Sequence, residues 1–140
     1  MKQVALLYAM IVSVALTCAQ VFGPHTVVVI VFGAIALMAL LIAGTFAWLW
    51  HARATPLALG MSLSWAGTGF TLGWWWILNI VQDAGRISGA VVLLFSLSLL
   101  MAGAVIHFSV IQGTFGLRGW AFIVPVVGAF AMSLGVLLLV

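Results

Sequence analysis

Charged side chains divide this sequence into long stretches that contain none. Between Lys2 and Arg53, between Arg53 and Asp83, between Arg86 and Arg118, and after Arg118 there is no Lys, Arg, Asp or Glu. A soluble domain covers its surface with about a quarter of its residues charged, whereas here 4% are charged and 67% are hydrophobic over 140 residues. The medium in which such a chain can fold is lipid. In hydrocarbon every backbone N–H and C=O must be satisfied within the protein, and a continuous apolar segment does this as a helix.

Apolar segments cover residues 3–22, 26–50, 57–81, 87–111 and 120–140. At about 1.5 Å per residue each reaches roughly 30 Å or more, the thickness of a bilayer core. The expected fold is all-α: a polytopic integral membrane protein, a bundle of five transmembrane helices with short loops, forming one domain over residues 1–140. The separators at residues 23–25, 51–56, 82–86 and 112–119 each contain Gly or Pro, the residues that punctuate periodic structure. Pro56 stands where a proline opens a helix without losing a hydrogen bond. Connections this short make sequence neighbours antiparallel neighbours in space. Pro125 falls in the first third of the last segment, where its missing N–H predicts a bend. Gly128, Ala131 and Gly135 follow it and suit close packing.

Basic residues set orientation. Lys2, Arg53 and Arg118 alternate onto one side of the expected bundle, and Arg86, beside Asp83, falls on the other. Cytoplasmic loops are enriched in Lys and Arg, so the N-terminus is expected in the cytoplasm and the C-terminus outside, in a bacterial-type inner membrane. Trp48, Trp50 and Trp120 then form the inner aromatic belt and Trp74, Trp75 and Trp76 the outer one. Lys2, the apolar run behind it, and Thr17 and Ala19 also fit a secretory signal peptide. The run is long enough to span, which makes a retained first helix the expectation.

The third segment departs from lipid-facing composition. It holds Gly60, Ser62, Ser64, Trp65, Gly67, Thr68, Gly69, Thr71, Gly73, three consecutive tryptophans and Asn79. Small residues at four-residue spacing let helix backbones approach closely. Gly60, Ser64 and Thr68 form one such stripe and Gly69 with Gly73 a second. One stripe is expected against helices two and four and the other against a further protein chain. Trp65 lies roughly 12 Å into the helix at 1.5 Å per residue, where its indole N–H needs an acceptor. Asn79 is expected either to bond a neighbouring helix or to line a path.

Several kinds of chemistry are disfavoured. Ion coupling across a membrane normally uses an ionisable residue inside the bilayer, and the five segments contain no Asp, Glu, Lys or Arg in their cores. Cys18 is the single cysteine, so an intrachain disulfide and a cysteine-built metal cluster are excluded. His51 and His107 fall in the same leaflet, and paired histidines on facing helices can hold a haem. They are the weak candidates for such a site, and structural roles are the expected ones. The Gly113, Gly116 and Gly119 spacing lacks the Lys-Ser/Thr of a phosphate loop and reads as an interfacial turn. Ser96, Ser98 and Ser109 are expected to bond the carbonyl one turn back, without an acid or histidine to activate them. The scattered basic residues leave no nucleic-acid footprint.

No catalytic residue, metal or cofactor is assigned on these grounds. The expected role is a small non-catalytic integral membrane subunit, or an assembly or accessory factor, of a larger inner-membrane complex. Its partners would be the lipid bilayer and other integral membrane subunits or further copies of itself, with association chiefly through helix three. The alternative is an oligomeric channel or carrier for a neutral or apolar solute lined by helix three, with a haem- or pigment-binding membrane subunit as a minor third reading.

Overall fold

The computed structural model describes residues 2–81, 89–112, 116 and 119–139. They form five α-helices: α1 (Lys2–Phe22), α2 (Pro24–Arg53), α3 (Pro56–Ile80), α4 (Gly89–Ile111) and α5 (Ile123–Leu139). A 3-10 turn at Gly119–Phe122 leads into α5. The expected turns at residues 82–86 and 113–115, and Arg118, lie outside the described residues.

The two connections that are described are shorter than their sequence suggests. Gly23 alone separates α1 from α2, with φ 84°, a region open to glycine because it has no Cβ. Pro24 then begins α2 with φ already set by its ring. At the far end His51, Ala52 and Arg53 stay helical, so only Ala54 and Thr55 connect α2 to α3. Ala54 turns the chain at φ 50° and ψ 34°, donating its N–H to the Trp50 carbonyl at 2.6 Å. Thr55 is extended, as the residue before a proline prefers, and Pro56 opens α3.

Pro125 does not bend α5 in its interior. The helix starts at Ile123, which puts Pro125 in the first turn, where backbone N–H groups have no intrahelical acceptor. Its ring crowds the carbonyl four residues earlier, and that carbonyl belongs to Ala121, inside the 3-10 turn. The α-helix therefore begins after the residue that a proline would obstruct.

The five expected helices are present, and the described residues distinguish them by apolarity. Four helical segments are long and apolar enough to cross a membrane: Gln3–Phe22, Pro24–Arg53, Val91–Ile111 and Gly119–Val136. Helix α3, although 25 residues long, is not among them. Its glycines, hydroxyl residues, tryptophans and Asn79 dilute the apolarity that its leucines and isoleucines supply.

The packing explains where that composition goes. Helix α3 lies between α2 and α4 and packs extensively against both, whereas α1 touches α2 lightly and α5 barely meets α4. The buried residues are small. On α2 they are Gly33, Ala36, Ala39 and Ala43, spaced three or four apart along one face, with the alanines at 2%, 1% and 6% exposure. On α3 they are Ala58, Gly60, Ser62, Gly67 and Gly69. For helices able to cross a membrane, apolar surface would gain little by association there, because hydrocarbon is already apolar. Close backbone approach is what stabilises the contact, and small residues permit it. The large apolar side chains point outward instead, among them Val4, Tyr8, Leu41, Phe95, Met132 and Leu138.

Candidate functional site: the two seams of α3

One face of α3 meets α2. Near its start the Ser62 hydroxyl donates to the Ala43 carbonyl at 3.0 Å, a buried hydrogen bond between the two helices. One stretch further on is Gly69, where an added Cβ would fall 2.8 Å from Leu40 Cγ and 3.2 Å from the Ala36 carbonyl oxygen. The Trp76 indole lies against Gly33, whose missing side chain leaves room for the ring. Trp75 stacks at a tilt on Phe32, with ring centroids 4.2 Å apart.

The other face meets α4 more closely. At Gly60 a Cβ would stand 3.3 Å from the Gly103 carbonyl oxygen, and at Gly67 only 2.7 Å from that of Ser96. Gly103 answers from α4, with its Cβ position 2.7 Å from the Ser64 backbone nitrogen and 2.8 Å from the Gly60 carbonyl oxygen. A real Cβ essentially never sits as close to other atoms as those at Gly67 and Gly103 would, and the one at Gly60 would be tighter than most. These glycines set the distance between the helices.

The sequence-derived candidates distribute over these seams in a revised pattern. Gly60 and Ser64 face α4, with Gly67 as the next member of the seam; Thr68 sits half-buried, donating to the Ser64 carbonyl at 2.9 Å. Gly69 and Gly73 face α2, although at Gly73 an added Cβ would meet only the Ala36 Cβ, at 3.8 Å. Helices of the same chain thus meet both stripes in part: Gly60 and Gly69 are buried, while Ser64, Thr68 and Gly73 stay half-buried. Trp65 is half-buried on α3. Asn79 bonds its own helix, from Nδ2 to the Trp75 carbonyl at 2.8 Å.

Two members of the seams, Gly33 and Gly103, are not singled out in the sequence, and two more, Ser62 and Gly67, are noted on the third segment but placed on neither stripe. Their signal was present. Gly103 interrupts a leucine-rich run within Ala102-Gly103-Ala104, and Gly33 heads a row of alanines at three-residue and four-residue steps. What the sequence withheld was which glycine faces which neighbour.

The hydroxyls of α4 are satisfied locally, whereas Gln112 Oε1, just beyond that helix, is buried without a hydrogen-bond partner among the described residues. Ser96, fully buried, donates to the Val92 carbonyl at 2.8 Å, and Ser98 and Ser109 bond the carbonyls of Phe95 and Ile106, each at 2.7 Å. Such back-bonds occupy the hydroxyl within its own helix. Among the described residues no three His, Cys, Asp or Glu side chains gather in one place. His25 and His51 are exposed on α2. His107 is half-buried on α4 and edges a recess of about 470 Å³ with Phe46, Leu49, Thr55, Ala58 and Met61. His51 is not part of that recess. A second recess, about 430 Å³, runs between α1 and α2 past Met10, Val14, Cys18, Val27 and Ile30, and its walls are apolar.

Comparison with protein-family models, with curated proteins and with solved structures finds no match to this chain.

Proposed function

We propose that the chain is a small non-catalytic subunit or assembly factor of a larger membrane complex, held in a bacterial-type inner membrane with its N-terminus in the cytoplasm. One observation supports this reading above the others. The molecule divides into a closed three-helix core and two outer helices that it hardly uses for itself. Helices α2, α3 and α4 bury their small faces on one another, while α1 and α5 pack only lightly against that core.

The small residues of α5 make the contrast sharper. At Gly128 and Gly135 an added Cβ would meet nothing within 4 Å, unlike those at Gly60, Gly67, Gly69 and Gly103. A glycine in a helix interior costs roughly 0.5–1 kcal/mol relative to Ala, and among the described residues these two, like Gly44 on α2, bring no close approach in return. Association therefore falls to the outer helices in this reading, and α3 acts as the internal spine. The lipid bilayer is the second partner.

Purification in mild detergent tests the proposal directly. The chain is expected to migrate with further membrane subunits or as an oligomer, and Gly128→Leu with Gly135→Leu should reduce that assembly to the single chain without loss of α2–α4 packing. A homo-oligomer free of other subunits that conducts a neutral solute in vesicles would instead establish the carrier reading. A haem absorbance band stoichiometric with the protein would establish the haem-binding one.

A further inference from the structure

The helix at the centre of the molecule is the one richest in Gly, Ser, Thr, Trp and Asn. Four helices meet the length and apolarity needed to span, and α3 does not. Yet α3 is the helix in contact with most of the core, through Ser62, Gly69 and Trp76 toward α2 and through Gly60, Ser64 and Gly67 toward α4. Helix α2, in contrast, combines a strongly apolar outer surface with a single row of small residues.

We propose that α3 crosses the membrane because α2 and α4 hold it there, so that its transmembrane position is conditional on its two seams rather than on its own apolarity. The inference rests on the chain being embedded in a membrane. Insertion of an isolated segment follows the sum of its side-chain preferences, in which Leu, Ile, Phe and Val favour the bilayer. Much of α3 is Gly, Ser, Thr, Trp and Asn. A neighbouring helix changes that sum, because a glycine facing protein exchanges van der Waals contact that a glycine facing lipid forgoes.

The two seams do not contribute alike. The connection between α2 and α3 is two residues long, so the α2 seam forms within a hairpin. The α4 seam holds the closest backbone approaches, at Gly67 and Gly103, and α4 is synthesised after α3. Opening that seam is the event that would release α3 from its transmembrane position. A chain built this way has an internal switch between a spanning and a non-spanning third helix, set by whether α4 is docked.

The proposal is tested in full-length chain carrying Cys18→Ala, with single cysteines at Ala54 or Val81, the two ends of α3, and an impermeant thiol reagent. With α3 across the membrane the two positions label from opposite sides. Gly67→Leu and Gly103→Leu, each of which drives a bulky side chain into the α4 seam, should move Val81→Cys labelling to the Ala54→Cys side, with at least a several-fold rise in same-side labelling. Adding Thr68→Leu and Asn79→Leu, at positions whose side chains bond their own helix, raises the apolarity of α3 and should restore opposite-side labelling. That rescue separates lost membrane residence from general misfolding. Wild-type sidedness in both seam variants, or no recovery with the added leucines, would overturn the proposal. A wild-type chain recovered outside the membrane fraction would instead remove the reading on which it rests.

Discussion

Individual glycines in this molecule have opposite roles, and their substitution should separate them. At Gly67 and Gly103 the space for a Cβ is taken by backbone of the facing helix, at 2.7 Å in each case. Backbone cannot rotate away as a side-chain tip can, so Gly67→Ala and Gly103→Ala are expected to cost about 1–3 kcal/mol, the range for overpacking. At Gly73 the nearest atom to an added Cβ is the Ala36 Cβ at 3.8 Å, an ordinary contact, and Gly73→Ala should be neutral or stabilising because Ala is the better helix former. Reversible unfolding in a mixed detergent series reads all three, and equal losses at Gly73 and Gly67 would contradict the seam geometry. Ala54 offers a change in the other direction. It holds φ 50° as the residue that ends α2, a left-handed conformation that costs a residue with a Cβ roughly 1–2 kcal/mol. Ala54→Gly removes that cost and should raise the unfolding midpoint, with a net gain reduced by the greater freedom of glycine in the unfolded chain. The Ser62 hydroxyl bridges two helices, and Ser62→Ala should cost about 0.6 kcal/mol, the average for interhelical hydrogen bonds in a membrane. A larger loss would mean that the Ala43 carbonyl finds no other donor.

Helices were the easiest elements to read from the sequence and their neighbours the hardest. Apolar runs free of charge locate α1 to α5 within a few residues of their ends, because a backbone in hydrocarbon has few alternatives to a helix. Helix ends were less legible at residues 51–53, where polar side chains suggest a loop but α2 continues to Arg53. The reason is local: the reversal needs only a left-handed residue and an extended one before Pro56, and Ala54 and Thr55 supply both. Pro125 misled in a related way, since a proline suggests a bend until it is known that the helix begins two residues earlier. The seams were half legible. Small residues on α3 mark it as a contact helix, but a spacing of four selects Gly60, Ser64 and Thr68, whereas the structure continues from Ser64 to Gly67, a step of three. With 3.6 residues per turn both steps stay on one face, and only the position of α4 chooses between them. That position depends on Gly103, which lies more than thirty residues further along the chain, beyond the reach of a local pattern. The same limit applied to the second stripe: nothing in Gly69 and Gly73 themselves states that α2, rather than another chain, would meet them.

At the scale of the whole molecule, the proposed orientation rests on very few charges, and this makes it testable by subtraction. Lys2, Arg53 and Arg118 stand against Arg86 in the alternation of the chain. Loops this short are governed by their Lys and Arg content, and acidic residues such as Asp83 count for little. The expected bias is therefore three basic residues to one, with the connection at Ala54 in the cytoplasm. Removing Arg53 and Arg118 together leaves Lys2 against Arg86, one residue on each side, and the bias vanishes. In a Cys18→Ala background, a single cysteine at Ala54 should be unreactive toward an impermeant thiol reagent applied to intact cells and reactive in inverted vesicles. With Arg53→Ala and Arg118→Ala added, both preparations should label, because the chain would insert in both orientations. Helix α2 sharpens the expectation: its 30 residues extend about 45 Å at 1.5 Å per residue, more than a bilayer core of roughly 30 Å. In a bilayer a helix of that length would tilt or project, which would let a last turn holding His51 and Arg53 reach the surface. Uniform orientation after both arginines are removed would show that a partner subunit, rather than the charges of this chain, decides which way it faces.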